Sequence, residues 1–132
     1  MSQSRQPFHV RESSSARLTA TIKDETETAI PAASIDTLTL ELYDQRTHLD
    51  SPGSTAAIIN GRAGQDILNA NGCVVDSSGN LTLTLKPADN VIVNAGQSSE
   101  RHVALLKWTY AAGLKAGMEE VLLDVVNYAR TT

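Results

Sequence analysis

The sequence predicts an all-β protein, an antiparallel β-sandwich of about six to eight strands behind a polar N-terminal arm. Three observations carry this. Apolar and polar residues alternate with a period of two in several stretches, the pattern of a strand with one wet face. Turn formers punctuate these stretches, at Ser51-Pro52-Gly53, Asn60-Gly61 and Asp76-Ser77-Ser78-Gly79-Asn80. The chain of 132 residues is 41% hydrophobic yet only 4% aromatic, and it holds 12 Ser and 13 Thr, so hydroxyl groups dominate its polar positions.

In chain order, residues 1–15 form the arm, with Phe8 and Val10 as its sizeable apolar groups and Pro7 opposing helix. Such a segment buries too little surface to order itself alone. The sandwich domain is expected over residues 16–132. Leu18, Ala20 and Ile22 alternate with Thr19, Thr21 and Lys23 as a first strand, which ends before Ile30-Pro31. The acidic run Asp24, Glu25, Glu27 reads as a solvated edge or loop.

Ile35 to Tyr43 is the clearest strand, with Leu38, Leu40 and Leu42 on one side and Thr37, Thr39 and Glu41 on the other. Asp44 to Thr55 reads as irregular, and Ala56 to Ile59 as a short strand closed by Asn60-Gly61, the strongest local hairpin signal. Gln65 to Ala70 is compatible with one helical turn or with a loop.

Val74-Val75, the Asp76–Asn80 turn and Leu81 to Leu85 read as strand, turn and strand. Arg101 to Tyr110 is apolar on both parities, as expected of a central strand. Ala111 to Gly117 then connects to a final strand, Met118 to Tyr128. A single long helix over residues 104–126 is the competing reading, opposed by two glycines and the β-branched cluster near Val121 to Val126. Short strands at such spacing describe a sandwich of immunoglobulin-like type, although no cysteine pair is present.

One domain suits this length. The formal net charge of -4 argues against nucleic acid as the principal partner and against an anionic membrane, either of which favours a basic face. A single cysteine, Cys73, excludes an intramolecular disulfide. No stretch reaches membrane-spanning length in apolar residues, and no signal-peptide core is seen near Met1, so a soluble chain is expected.

Chemical motifs are weak. His9, His48, His102 and Cys73 lack metal-ligand spacing, and His102 reads as a structural residue at a strand start. No serine lies in G-x-S-x-G, and Gly61-Arg62-Ala63-Gly64 lacks the Lys-Ser/Thr ending of a phosphate loop. Asp76 to Asn80 resembles part of a calcium loop without its closing glutamate. No enzyme activity, metal or cofactor is therefore expected. Trp108 and Tyr110 share one face, buried in the core or exposed as a sugar-stacking platform.

The arm is locally basic, since Arg5, Arg11 and Arg17 outnumber Glu12 over residues 1–17. Arg5, Phe8, His9, Val10 and Arg11 are the candidate partner-binding residues, suited to adding a strand to a neighbour's sheet. Removal of the arm is accordingly expected to spare the fold and abolish assembly.

The strings IINGRAG, ILNANG, VDSSGNLTLTLKPADN and HVALLKWTY, within residues 16–128, resemble a family of small immunoglobulin-like structural virion proteins of tailed bacteriophages and prophages. The resemblance implies a non-enzymatic part of the particle, in the head, the head-to-tail neck or the tail, made in the host bacterial cytoplasm. It implies other virion proteins as partners and a symmetric homo-oligomer or many copies. It brings no catalytic residues. A carbohydrate-binding or host-surface adhesin module, using Trp108, Tyr110 or the Asp44–Thr55 loop, is the alternative.

Overall fold

A computed structural model describes residues 8–50, 57–93 and 98–126. Its strands are β1 (Phe8–Arg11), β2 (Ala16–Thr21), β3 (Ile35–Asp44), β4 (Gln65–Asp66), β5 (Cys73–Val75), β6 (Asn80–Leu85), β7 (Ser99–Tyr110) and β8 (Lys115–Val126), with helix α1 (Gln45–Asp50) after β3. They form a five-stranded sheet in the order β1-β8-β7-β3-β4 and a three-stranded sheet in the order β2-β6-β5. Every pairing is antiparallel except that of β1 with β8. The chain is an all-β sandwich.

The alternation read from sequence decides which side chains enter the core. Leu38, Leu40 and Leu42 from β3 face Leu81, Leu83 and Leu85 from β6, each at most 1% exposed. Leu18 and Ala20 from β2, Leu106 and Trp108 from β7, and Val121, Leu123 and Val125 from β8 complete the same cluster. Each large aliphatic side chain so buried contributes about 1.5–3 kcal/mol relative to exposure. Thr19, Thr37 and Thr84 point outward and are exposed. On the outer face of the large sheet, the Thr37 and Thr109 hydroxyls share a hydrogen bond of 2.6 Å.

β7 lies third of five strands and is apolar on both sides because its outer parity is also covered. Val103 packs with Tyr43 and Ala57 in a second, smaller cluster. Against β7, β8 pairs over twelve residues, from Ser99↔Val126 to Tyr110↔Lys115. The helical reading of this region is thereby excluded. Its connection is shorter than the expected Ala111–Gly117, because Ala111, Ala112 and Gly113 turn the chain at φ of 56°, 58° and 81° and Lys115 already lies in β8.

Four further expectations are corrected. The stretch after Asp44 begins with α1, whose first turn is capped by the Asp44 carboxylate: Thr47 donates its amide N–H at 2.9 Å and its hydroxyl at 2.7 Å. Of the short strand expected over Ala56 to Ile59, Ala56 lies outside the described residues and residues 57–59 make a single bridge, Ile58 to Tyr43. Asn60 and Gly61 have the expected positive φ, 54° and 69°, but their turn does not join two long strands. Its flanks both pair with Leu42, the Ile59 amide donating to the Leu42 carbonyl and the Leu42 amide to the Arg62 carbonyl. Gln65–Ala70 is not helical, since Gln65 and Asp66 pair with Leu40 and Thr39 of β3 and positive-φ asparagines follow at Asn69 and Asn71.

The largest correction concerns the arm. Phe8–Arg11 does not stand apart from the domain: it forms β1, in register Phe8↔Leu123 to Arg11↔Val126, and Val10 is 5% exposed within the main core. A polar segment too poor in apolar groups to order alone is ordered by the edge of a sheet already built.

Candidate functional site

Of the five arm candidates, Arg5 lies outside the described residues. Val10 belongs to the core, Phe8 packs half-buried against it, and His9 and Arg11 are exposed on the opposite parity of β1. The arm's far end is tied down as well. The Glu12 amide donates to the Val126 carbonyl at 3.1 Å, and the Ser13 amide to the Asn90 carbonyl at 2.7 Å. Asn90 returns a hydrogen bond from its Nδ2 to the Ser14 carbonyl at 2.6 Å.

Asn90 closes the Pro87-Ala88-Asp89-Asn90 corner, a single 3-10 turn, and its neighbour Asp89 anchors a buried polar network. Arg62 Nε donates to Asp89 Oδ1 at 2.7 Å and Arg62 Nη2 to Asp89 Oδ2 at 3.0 Å, a two-point pairing that suits the planar guanidinium. Asn60 Nδ2 donates to Asp89 Oδ1, the Lys86 amide to Asp89 Oδ2, and Arg62 Nη1 to Gln65 Oε1. Arg62 and Asp89 are 4% and 0% exposed. Burial alone raises the Asp89 carboxyl, but the hydrogen bonds from Arg62, Asn60 and Lys86 and the Arg62 charge outweigh it and hold the group below its usual range. The network fastens the Asn60-Gly61 turn to the corner that grips the arm.

A second buried cluster lies where β3 and β7 run out of apolar residues. Asp44 ends β3 and pairs in register with His102 of β7, and Glu100 lies two residues before His102 on the same face. All three are buried, at 0%, 0% and 5% exposure. His102 Nε2 lies 2.5 Å from Glu100 Oε2 and 3.8 Å from Asp44 Oδ1. Glu100 Oε2 also accepts the Val93 amide at 2.7 Å. The donor atoms of the three residues lie within 4.8 Å of one another, a ligand-like grouping that sequence reading missed. Asp44 is too far along the chain from the other two for a spacing motif. The available signal was Glu100-Arg101-His102, two polar groups at the inward positions of an apolar strand.

Trp108 and Tyr110 are buried at 5% and 9% exposure, so they offer no sugar-stacking platform. Trp108 Nε1 donates to the Lys23 carbonyl at 3.2 Å. The Tyr110 hydroxyl donates to Glu25 Oε1 at 2.7 Å and Lys115 Nζ to Glu25 Oε2 at 2.5 Å. Those two bonds, Lys115 first, lower the Glu25 carboxyl to about 2. The acidic run is therefore partly a tether from the loop after β2 to the β7–β8 hairpin. Its neighbour Asp24 accepts from the Thr26 hydroxyl and the Thr26 and Thr28 amides, which shapes the loop itself.

No model of a known protein family matches this chain, and no curated protein matches it closely enough to count as a relative.

Proposed function

We propose that the chain is a non-enzymatic structural protein of a tailed-phage particle, in the head, the head-to-tail neck or the tail. On this reading it is an immunoglobulin-like sandwich that binds other virion proteins in many copies. The observation that carries the proposal is the use made of the residues behind the resemblance. Asn60 and Arg62 of the ING-R string meet Asp89 of the P-A-D-N corner. Asn69 accepts the Val75 amide, Asn71 donates to the Asp66 carbonyl, and Asp76 accepts the Ser78 and Asn80 amides. The strings behind the resemblance thus specify a frame of fixed turns, which suits a part built for assembly.

The immunoglobulin-like reading is supported by strand order. The series β8-β7-β3-β4 runs as G-F-C-C′ of a variable-type domain, and β2-β6-β5 as B-E-D. Burial of Trp108 and Tyr110 weighs against the carbohydrate-binding alternative.

Within β1, partner contact falls to His9 and Arg11, because β1 is the outermost strand of its sheet and Val10 is committed to the core. Symmetric repetition then converts weak single contacts into stable attachment. The test is mass spectrometry of purified particles together with two variants. The double change His9→Ala, Arg11→Ala is expected to lower stability by no more than about 1 kcal/mol and to lose incorporation. Val10→Ala should instead lower stability by about 1–2 kcal/mol. Absence of the protein from purified particles would overturn the proposal.

A further inference from the structure

We propose that Asp44, Glu100 and His102 form a three-ligand site for a divalent transition metal, best suited to Zn2+, at one end of the sandwich interior. The inference is independent of the role proposed for the chain. The cross-strand register of β3 and β7 places Asp44 beside His102, and the pleat returns Glu100 to the same inner face. Three donors arrive from two strands whose geometry is fixed by long ladders, the condition for a preorganised site.

The donor chemistry then selects the ion. One imidazole nitrogen and two carboxylate oxygens make a borderline set that suits Zn2+ and its first-row neighbours. Calcium and magnesium prefer more numerous, all-oxygen ligands. A divalent ion balances the charge of two carboxylates. Donors of one tetrahedral ion held at about 2.0–2.2 Å lie about 3.3–3.6 Å apart, so with His102 Nε2 2.5 Å from Glu100 Oε2 and 3.8 Å from Asp44 Oδ1 the ion enters by replacing the His102–Glu100 hydrogen bond, with small side-chain shifts.

The imidazole is the centre of the group. His102 is wholly buried, and its Nδ1 has no hydrogen-bond partner among the described residues. A ligating imidazole ordinarily donates from its other nitrogen, so Nδ1 does not itself point to an ion; the convergence of two carboxylates on Nε2 does. Asp44 meanwhile divides its oxygens: Oδ2 caps α1 through Thr47, and Oδ1 faces the ring. An ion here would join the β3–α1 corner to the start of β7 and, through the Val93 amide held by Glu100, to the segment that precedes it. Three protein ligands leave a fourth position for water.

The experiment uses the full chain, refolded from urea with and without ZnCl2 because the site is buried. One Zn2+ per chain is expected by elemental analysis, with a rise in melting temperature of about 5 °C or more at saturating metal. MgCl2 and CaCl2 should produce no rise. Co2+ in place of Zn2+ should give visible d–d bands without a thiolate charge-transfer band, which separates this site from Cys73. Glu100→Gln and His102→Gln should abolish the metal-dependent rise, whereas Arg101→Gln should retain it. Asp44→Asn preserves the helix cap and should weaken binding at least about tenfold, so it serves as the variant expected to fold in every case. Wild-type protein that gains neither bound Zn2+ nor thermal stability overturns the proposal, as does equal binding by Asp44→Asn.

Discussion

Asp89 and Arg62 illustrate how a buried charge is made tolerable. Each carboxylate oxygen accepts two hydrogen bonds, from Arg62 and Asn60 at Oδ1 and from Arg62 and Lys86 at Oδ2. Removing one partner leaves the other charge buried without compensation, and Asp89→Asn should cost about 3–5 kcal/mol at neutral pH. The pH dependence follows from the direction of the shift. The folded carboxyl is depressed, so its contribution is fully present above the unfolded value of 3.8 and is lost as pH falls through the lower folded value. Urea melts of wild type and Asp89→Asn should therefore show a wide gap at pH 7 that narrows as pH falls below about 4. A gap that stays constant down to pH 2 would remove the ion pair from the explanation.

At the scale of the element, backbone shape separates glycines that sequence alone treats alike. Gly61 and Gly79 both sit in turns at positive φ, 69° and 80°. A Cβ on Gly61 meets nothing within 4 Å, whereas one on Gly79 would lie 2.6 Å from the Ile30 carbonyl oxygen. Gly61→Ala should cost about 1–2 kcal/mol, the left-handed conformational penalty alone. Gly79→Ala should cost clearly more, because the Asp76–Asn80 turn must also move away from the chain at Ile30. Equal melting temperatures for the two variants would contradict this account.

The same scale shows what could be read from sequence and what could not. β2, β3, β6, β7 and β8 were legible because period-two alternation is a local property, set by which face of each strand is wet. α1 was not legible: six residues without an apolar stripe depend on one capping carboxylate at Asp44. β1 escaped because its order comes from Leu123 to Val126, at the other end of the chain. The Asp44, Glu100 and His102 grouping was hidden for the same reason, since only the β3–β7 register brings its members together.

For the whole molecule, the decisive feature is that two sheets share one core. Residues from β2, β5 and β6 and from β3, β7 and β8 belong to a single buried cluster, and the polar networks tie loops of both sheets together. Neither sheet retains a buried face without the other, so the domain should unfold in one step. Two native probes report on the two layers. Trp108 lies in the large sheet, pressed against Gly117, where a Cβ would come within 2.6 Å of the indole nitrogen. Cys73 lies in the small sheet, and burial pushes its thiol up to about 11 although the Arg62 charge opposes the shift, so the native thiol should be nearly inert at neutral pH. In urea, the red shift of Trp108 fluorescence and the onset of rapid Cys73 alkylation should trace one transition with one midpoint. If the thiol becomes reactive at a clearly lower urea concentration than the tryptophan becomes wet, β2, β5 and β6 open as a separate unit. The shared core would then be a weaker link than its burial implies.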